Sequence, residues 1–484
     1  MTDDANFAQA ARDLLGERGF TCDPDLLEPW LTDWRGRYSG KSLGLASPAS
    51  TEEVAAFVKL CADHRVPIVP QGGNSGMSGG ATPDKSGQSV LLSLRRMNTI
   101  RSFDVAAKQI TAEAGVILQV LHETVEAEGL RFPLTLGGKG SATIGGLVST
   151  NAGGTQVLRH GTMRAQVLGL EAVLADGQVF DALTALKKDN RGFDLKQMLI
   201  GSEGTLGIVT AANLRLIPAI GERVVAWVGL SSIHAARTLL LKLEEALGDE
   251  LEGFEVMPAH CMQSVLDHLP DARNPLAEMH NWNALIELVA AKDEAEAVRE
   301  SLESLLADAI ENDAIADAVL AANEKQADDF WLLRDSIAPA ERAIGPAMQH
   351  DISVPVARMP DFIEDVTPMV EQAFPQSRAI AFGHLGDGNV HFHVIAPQGV
   401  DPIEWQKTEG KRISSFVHDA VTQCGGSISA EHGIGQLKID ELERLSDPVA
   451  LSLMRSVKQA LDPQGLLNPG KLVGQAHDGL PSAA

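Results

Sequence analysis

Three histidines lie within ten residues of this 484-residue chain, at His384, His391 and His393. The last two are two positions apart in a β-like run, so their side chains are expected on one face of a strand. A glycine-rich turn between His384 and that run can bring the first imidazole back toward the other two. The spacing therefore predicts a cluster of imidazoles, which could be metal ligands or ordinary buried histidines.

A carboxylate and a fourth imidazole follow at Glu431 and His432, again beside a glycine-rich loop. Two imidazoles and one carboxylate can bind Zn²⁺, Mn²⁺ or Fe²⁺ and leave coordination positions open for a substrate. A neutral imidazole can also accept a proton as a general base. These residue types are therefore candidates for a metal centre that works with a base.

The glycines of the chain cluster in three loops, at 71–80, 136–154 and 200–207. The first loop follows a strand-like run and has five glycines in ten residues, so its backbone N–H groups suit a pyrophosphate. It lacks the Lys-Ser or Lys-Thr of a Walker motif, and it continues where a Rossmann motif would open a helix. The loops predict a long cofactor lying across glycine-lined walls, with a tight multi-turn loop as the alternative.

Four motifs, taken in order, resemble the flavin-binding domain of the vanillyl-alcohol-oxidase-type FAD enzymes. They are P-Q-G-G-N-S-G at 70–76, S-A-T-I-G-G at 141–146, N-A-G-G at 151–154 and G-S-E-G-T-L-G-I-V at 201–209. Later motifs resemble the D-2-hydroxyglutarate and D-lactate dehydrogenase branch of that superfamily. The resemblance extends from about residue 39 to residue 472.

The resemblance implies FAD as the cofactor. The loop at 70–83 contains neither His nor Cys, so we expect FAD to be bound non-covalently, and His160 is the only nearby candidate for covalent attachment. The resemblance assigns to FAD the residues Pro70, Gly72, Gly73, Asn74, Ser75, Gly76, Met77, Ser141, Ile144, Gly145, Gly146, Ser149, Asn151, Gly153, Glu203, Gly207, Val209 and Asn468.

The resemblance also implies roles for the histidine cluster. In this branch, the residues matching His384, His391 and Glu431 hold a divalent metal, for which we expect Zn²⁺ ahead of Mn²⁺ or Fe²⁺. The residue matching His432 acts as the base. Arg334 matches the substrate-binding arginine, and its planar guanidinium suits a carboxylate. The alternative for this arginine is an ion pair on a helix surface.

Three positions depart from the hydroxyglutarate enzymes, which carry Thr, Lys and Asn where this chain has Ala338, Gln349 and His393. The lysine that could meet a second substrate carboxylate is therefore missing. A protonated His350 or His393 could replace it, and we include His393 among the catalytic candidates. The predicted substrate is a small anionic D-2-hydroxy acid. D-lactate, D-malate, D-2-hydroxyglutarate and longer apolar acids all remain open.

The chain is acidic, with 40 Lys and Arg against 65 Asp and Glu and a net charge of -25. This charge argues against nucleic acid and anionic lipid surfaces as partners. No apolar run approaches the about 18 residues of a membrane span, and the chain opens without a signal-peptide pattern. We therefore predict a cytoplasmic protein with no transmembrane segment.

The four cysteines are scattered singly, which argues against an iron–sulfur relay. We therefore expect the electrons to leave for an external acceptor, either an electron-transfer flavoprotein or a quinone. A homodimer is expected only by analogy with the family.

The predicted fold class is α+β, with a two-subdomain FAD-binding domain, an antiparallel-sheet substrate domain and a C-terminal helical segment. The expected divisions are an N-terminal helical segment (1–38), a PCMH-type FAD-binding domain (39–218), a substrate-binding domain (219–425), a C-terminal segment returning to the flavin (426–472) and a tail (473–484).

These observations predict an FAD- and metal-dependent dehydrogenase that oxidises a D-2-hydroxy acid to the 2-oxo acid and passes the hydride to flavin N5. Two alternatives remain open from the sequence. One is an alcohol or sugar oxidase that uses O₂, and the other is a non-catalytic flavoprotein.

Overall fold

The computed structural model describes residues 3–186 and 188–474 of the chain. The chain divides into two compact units. Unit 1 combines Met1–Gly154, His160–Ala219 and Glu431–Ala484, and unit 2 combines Thr155–Arg159 with Ile220–Ala430. The assignment of FAD and substrate to separate predicted domains stays a prediction, and the predicted tail lies outside the described residues from position 475 on.

The described strands are β1 (Phe20–Thr21), β2 (Leu45–Ala46), β3 (Ile68–Gln71), β4 (Val90–Ser93), β5 (Ile100–Asp104), β6 (Gln109–Glu113), β7 (Leu130–Arg131), β8 (Val167–Val173), β9 (Val179–Ala182), β10 (Ile208–Arg215), β11 (Ile217–Pro218), β12 (Glu222–Leu230), β13 (Leu251–Pro258), β14 (Trp282–Ala290), β15 (Asp317–Leu320), β16 (Ala347–Ser353), β17 (Arg378–His384) and β18 (Asn389–Ile395).

The described α-helices are α1 (Asp3–Leu15), α2 (Pro24–Leu27), α3 (Thr51–His64), α4 (Leu118–Glu126), α5 (Ile144–Thr150), α6 (Val157–His160), α7 (Met163–Gln166), α8 (Lys196–Leu199), α9 (Ile233–Leu247), α10 (Ala259–His268), α11 (Ala295–Glu311), α12 (Glu324–Asp335), α13 (Ile337–Ile344), α14 (Met359–Ala373), α15 (Pro402–Trp405), α16 (Lys411–Gln423), α17 (Ile439–Leu445) and α18 (Pro448–Leu461). Short 3₁₀ turns lie at Glu28–Trp30 and Val356–Arg358, and a π-helical turn lies at Gln406–Gly410.

Unit 1 contains two larger sheets, each with its own hydrophobic core. A four-stranded sheet in the order β1-β2-β4-β3 packs against α1 and α3. A five-stranded antiparallel sheet in the order β5-β6-β10-β8-β9 packs against α4 and α5. Helix α3 begins where the Ser50 hydroxyl accepts the backbone N–H of Glu53 at 3.2 Å, the N-cap arrangement typical of a Ser-x-x-Glu sequence.

The C-terminal segment of unit 1 joins the edge of the four-stranded sheet. Ile68 in β3 donates its N–H to the carbonyl of Leu466, and Asn468 donates its N–H back to the carbonyl of Ile68, both at 2.8 Å. Lys458 in α18 supports this edge by donating to the Leu467 carbonyl at 2.8 Å. Residues 466–468 are therefore held against β3, the strand that leads into the first glycine loop.

Unit 2 is built on a seven-stranded antiparallel sheet in the order β15-β12-β14-β13-β17-β18-β16. Helices α9, α11, α14 and α16 cover one face, and α10, α12 and α13 cover the other. Because successive side chains of a strand point to opposite faces, each strand supplies both cores. In β18, Val390 and Phe392 enter the first core, whereas His391 and His393 lie on the second face.

The predicted α+β class, with two packed subdomains, an antiparallel-sheet domain and C-terminal helices, is confirmed by this architecture. Within residues 3–186 and 188–474, no helix has both the length and the apolar character needed to cross a membrane.

Candidate active site

A groove opens in unit 1 between the glycine loops. Of the residues predicted to contact FAD, those that line it are Pro70, Gly72, Gly73, Asn74, Ser75, Gly76, Gly145, Gly146, Ser149, Glu203, Gly207 and Val209. Further lining residues that were not among the predicted FAD contacts include Leu92, Leu94, Thr143, Thr150 and Gly204.

The first glycine loop presents its backbone to this groove. Within the part of the chain that the structure describes, the five backbone N–H groups from Gly73 to Met77 donate to no protein acceptor. Asn74 has a φ of 50°, a left-handed conformation that helps successive N–H groups converge. Consecutive N–H groups of this kind are an anion-binding arrangement, so the loop fits the pyrophosphate of FAD.

Glycine is needed in this loop for two different reasons. A Cβ on Gly73 would lie 1.7 Å from the carbonyl oxygen of Ser141, and a Cβ on Gly72 would lie 2.5 Å from the Thr143 hydroxyl. These two glycines therefore let the first and second glycine loops pack directly together. A Cβ on Gly76 would meet nothing within 4 Å, so this glycine leaves space open at the groove.

The other residues predicted to contact FAD do not line the groove. Ile144 is fully buried in the core of the five-stranded sheet. Asn151 ends α5 and accepts the backbone N–H of Arg164 through its side chain at 2.9 Å. The remaining ones outside the lining are Met77, Ser141, Gly153 and Asn468, and His160 is not in the lining either.

His432, the predicted base, lines the same groove. Its loop is held by hydrogen bonds from inside unit 1. The Ser78 hydroxyl donates to the His432 carbonyl at 3.1 Å, and the Glu203 carboxylate accepts the N–H groups of Ile434 and Gly435, each at 2.7 Å. Glu203 thus has a structural role that the motif did not predict: its carboxylate fixes the loop that carries His432.

The surroundings of Glu203 are buried and polar. Burial raises the pKa of Glu203, against the effects of its two backbone donors and of Lys438 and Lys471. Burial also lowers the pKa of Lys471 to about 8. Asn468 donates through its side chain to the carbonyls of Glu203 at 2.7 Å and Gly80 at 3.0 Å. Its buried Oδ1 has no partner among the described residues.

A second polar group lies in unit 2, on the sheet face covered by α10, α12 and α13. Glu255 in β13 is 1% exposed, and its carboxylate accepts the Arg334 Nε–H at 2.8 Å. The same carboxylate bonds Nδ1 of His384. Burial alone would raise the pKa of Glu255, but Arg334 and His384 hold it at about 2. The carboxylate therefore stays ionised and orients both side chains.

His384 and His391 lie on this face with ring centroids 5.5 Å apart. Because Glu255 bonds Nδ1 of His384, Nε2 is the nitrogen that would coordinate a metal, as is common for metal-binding histidines. In the structure Nε2 lies 3.4 Å from a terminal nitrogen of Arg334. Burial, followed by the charges of His384 and Arg334, lowers the pKa of His391 well below its usual range. His391 is therefore neutral, the form that a metal requires, so these two donors fit a divalent ion.

Glu431, the third predicted metal ligand, is the first residue of the C-terminal part of unit 1. Its predecessor Ala430 donates its N–H to the carbonyl of Asp351 in β16 at 3.3 Å. Participation of Glu431 in a metal site stays a prediction.

His393 lies on the same face as His391, two residues further along β18. Its Nδ1 bonds the carboxylate of Glu341 in α13 at 2.5 Å, and Glu341 is 1% exposed. His350 does not share this location. In the register of β16 against β18, His350 pairs with Phe392 and thus points to the opposite face, where its ring bonds the Ser414 hydroxyl at 3.0 Å.

The idea that His350 could replace the missing lysine is therefore wrong, because a strand sends neighbouring side chains to opposite faces. Two residues that the sequence analysis missed are Glu255 and Glu341. A charged residue inside an apolar strand, as in L-E-G-F-E-V-M-P at 251–258, is the signal that could have pointed to Glu255.

Comparison with known proteins identifies the protein family. Residues 42–182 match the family described as "FAD binding domain", and residues 221–472 match "FAD linked oxidases, C-terminal domain". A chain titled p-cresol methylhydroxylase with substrate bound shares the fold with a TM-score of 0.73 at 15% identity, and the match covers 97% of both chains.

Sequence relatives cover almost the whole chain. A protein of Oryza sativa subsp. indica named "Probable D-2-hydroxyglutarate dehydrogenase, mitochondrial" is 37% identical over 476 residues, which is 98% of this chain and 82% of the relative. The D-2-hydroxyglutarate dehydrogenase of Xanthomonas citri pv. viticola is 35% identical over 458 residues, which is 94% of each chain. The resemblance seen in the motifs is thereby confirmed, and the chain belongs to the family of FAD-linked oxidases that contains the D-2-hydroxyglutarate dehydrogenases.

Proposed function

We propose that this protein is an FAD- and divalent-metal-dependent dehydrogenase that oxidises a D-2-hydroxy acid to the corresponding 2-oxo acid. The observation that supports this most directly is the arrangement on the unit 2 sheet. A fixed guanidinium, Arg334, and an oriented imidazole, His384, share one buried carboxylate, Glu255. An anion-binding group beside potential metal ligands is what a 2-hydroxy acid requires.

Arg334 binds the substrate carboxylate in this proposal. Its Nε–H is engaged by Glu255 at 2.8 Å, which holds the guanidinium in one orientation. A pre-oriented guanidinium can make two parallel hydrogen bonds to a carboxylate. Because the ionised Glu255 balances the charge of Arg334, the guanidinium would recognise the substrate carboxylate through directed hydrogen bonds rather than through a local net charge.

His432 accepts the proton of the substrate hydroxyl. A neutral imidazole suits this task at neutral pH, and general base catalysis of this kind is typically worth about 100- to 10,000-fold in rate. Ser78 and Glu203 hold the backbone around His432, so its loop is ordered before substrate arrives. As the proton leaves the oxygen and the hydride leaves C2, the alcohol becomes a ketone.

The two cofactors have distinct uses. FAD, held by the groove residues of unit 1, supplies the hydride acceptor at flavin N5. A divalent ion, with Zn²⁺ expected before Mn²⁺ or Fe²⁺, would be held by His384, His391 and Glu431 and would lower the pKa of the substrate hydroxyl. FAD is taken as non-covalently bound, and the electrons then pass to an external acceptor, an electron-transfer flavoprotein or a quinone.

The location and assembly of the protein are also part of the proposal. The rice relative carries "mitochondrial" in its name and the Xanthomonas relative names no compartment. A cytoplasmic location and a homodimer stay predictions for this chain.

The test is an anaerobic visible spectrum of the purified protein before and after addition of D- and L-2-hydroxy acids. Bleaching of the flavin band by D isomers alone supports the proposal. A yellow protein that no 2-hydroxy acid bleaches contradicts it and favours a non-catalytic flavoprotein, and rapid hydrogen peroxide formation with an alcohol or sugar favours an oxidase.

The base is tested by His432→Ala. We expect this variant to keep its FAD and to lose flavin reduction by about 100- to 10,000-fold, because the hydroxyl proton has no acceptor. His268→Ala, at an exposed helix end in unit 2, is the control and should behave as wild type. Near-wild-type reduction in His432→Ala would contradict the assignment.

A further inference from the structure

Glu203 is held in a backbone conformation that residues other than glycine rarely adopt. Its φ is 52°, in the left-handed region, where a side chain carries a steric cost that glycine avoids. Its N–H donates to the Ser149 carbonyl at 2.7 Å, and its carbonyl accepts the Asn468 side chain at 2.7 Å, so its surroundings keep it in this conformation. A strained residue that lines a ligand groove is a candidate for a functional role.

The buried carboxylate of Glu203 lies against the loop that carries His432. Its Oε1 accepts the N–H of Ile434 and its Oε2 accepts the N–H of Gly435, each at 2.7 Å. A Cβ on Gly433 would lie 2.8 Å from Oε1, so the absence of a side chain at that position lets the carboxylate approach the loop backbone. One side chain thus satisfies two successive N–H groups, and both of its oxygens are engaged by the protein.

Ser78 of the first glycine loop holds the same loop on either side of these two bonds. Its hydroxyl donates to the His432 carbonyl at 3.1 Å, and its own carbonyl accepts the N–H of Gln436 at 3.0 Å. Ser78 and Glu203 both line the groove. The backbone that carries the predicted base is therefore fixed by two residues of the groove wall.

This support sets the position of the His432 imidazole, because the N–H groups that Glu203 accepts begin only two residues after His432. A catalytic group that is misplaced by about 1 Å can lower a rate by about 100-fold. A glutamine at position 203 would retain one acceptor oxygen but would turn its N–H₂ group toward the second backbone N–H. Two donors that face each other do not bond, so the loop would lose one of its two central anchors.

We propose that Glu203 is a positioning residue for hydroxy-acid oxidation, and that its carboxylate keeps the His432 imidazole in one position at the groove. Glu203 acts through His432 and not as a group in contact with the reacting atoms. The family resemblance places Glu203 among the FAD contacts, whereas the structure engages both of its carboxylate oxygens with the base loop. This inference rests on the proposed D-2-hydroxy-acid dehydrogenase function and adds the residue that orients its base.

The first test is anaerobic single-turnover flavin reduction of FAD-loaded Glu203→Gln by the D-2-hydroxy acid that reduces the wild type fastest. We expect the rate constant at saturating acid to fall by about 10- to 100-fold, with the dissociation constants of the acid and of FAD within about threefold of wild type. Glu128→Gln, at an exposed turn of unit 1, is the matched control and should behave as wild type. A loss of FAD affinity with an unchanged rate constant would overturn the inference and make Glu203 a cofactor contact.

Glu203→Gly separates the carboxylate from the backbone conformation. Glycine adopts a positive φ without steric cost, so this variant should fold even where Glu203→Gln does not. It lacks both acceptor oxygens, and we expect its rate constant to fall by at least about tenfold. A near-wild-type rate constant in Glu203→Gly would overturn the positioning role.

A double-mutant cycle with His432→Ala tests whether Glu203 acts through the imidazole. In the His432→Ala background, Glu203→Gln should lower the remaining slow reduction by less than about twofold further, because the group that it positions is absent. Effects that multiply in the double variant would mean that Glu203 acts on FAD or on the fold, and would overturn the inference.

Hydrogen exchange of the FAD-loaded protein without substrate gives a readout that is independent of activity. The amides of Ile434 and Gly435 should exchange at least about tenfold faster in Glu203→Gln than in wild type or Glu128→Gln. Equal exchange, in a wild-type protein whose flavin a D-2-hydroxy acid reduces, overturns this inference alone. A wild-type flavin that no 2-hydroxy acid reduces overturns the proposed function, and the positioning role with it.

Discussion

The carboxylate of Glu255 offers the sharpest test of how unit 2 is held together. It is 1% exposed and bonds Arg334 at 2.8 Å and Nδ1 of His384. Glu255→Gln keeps one acceptor oxygen and replaces the other by an amide N–H₂, so one of these two bonds is lost and the negative charge is removed. The Arg334 guanidinium, whose side chain is 13% exposed, is then left with a weaker partner.

The expected cost is about 3 kcal/mol in the free energy of unfolding, because breaking a buried ion pair from one side typically costs about 3–5 kcal/mol and Gln retains part of the hydrogen bonding. The lowered pKa of Glu255 gives a free-energy cost of the same magnitude. Its fall from 4.5 to about 2, caused by Arg334 and His384 against the effect of burial, corresponds to about 3 kcal/mol.

The assay is urea unfolding followed by tryptophan fluorescence with saturating FAD. Four of the six tryptophans, Trp227, Trp282, Trp331 and Trp405, belong to unit 2. Glu303→Gln is the exposed control and should change the free energy of unfolding by less than about 0.5 kcal/mol.

A double-mutant cycle with Arg334→Met separates the ion pair from general effects of the substitution. In the Arg334→Met background, Glu255→Gln should cost at least about 1 kcal/mol less than in the wild type, since the guanidinium that loses its ionised partner is absent. Equal costs in the two backgrounds would refute the reasoning, because they would mean that Glu255 stabilises the fold without Arg334.

Three further predictions concern the metal, the flavin groove and a buried lysine. His384→Ala, or removal of divalent ions with a chelator, should abolish flavin reduction while the flavin spectrum stays intact, and active protein without divalent metal by elemental analysis would contradict the metal proposal. Gly73→Ala should lower the thermal stability of the FAD-free protein, because its Cβ would lie 1.7 Å from a backbone oxygen. Gly76→Val should leave that stability nearly unchanged and weaken FAD binding, because its side chain would extend into open space at the groove. Equal thermal stabilities of the two variants would argue against the close packing of the two glycine loops. Burial lowers the pKa of Lys471 from 10.5 to about 8. Between pH 8 and pH 10.5 the unfolded chain therefore holds a proton on this lysine that the folded chain has lost. The free energy of unfolding should rise by at most about 3 kcal/mol over this pH range. Thermal unfolding of Lys471→Met against pH should lack this contribution, and identical pH profiles would rule out a depressed pKa at this position.

Much of the local structure follows directly from the sequence. The Ser-x-x-Glu sequence at Ser50 is a local signal for a helix start, and a helix begins there; the two-residue spacing of His391 and His393 likewise places them on one face of β18. Both features depend only on neighbouring residues, because capping and strand alternation act over a few positions. The glycine loops likewise indicated a site for a phosphate-containing cofactor, since the absence of side chains is visible without knowledge of the fold.

The partners of the functional side chains were decided only by the tertiary structure. Glu255 bonds His384 across 129 positions of sequence, and Glu341 bonds His393 across 52. His350 is next to Gln349 in sequence, yet the register of β16 against β18 sends it to the opposite face. Strand order and register result from the packing of the whole sheet, in which a shift of one residue exchanges the two faces. The sequence therefore determined which chemical groups are present and which local faces they share, whereas the packed sheet determined which buried carboxylate orients each histidine.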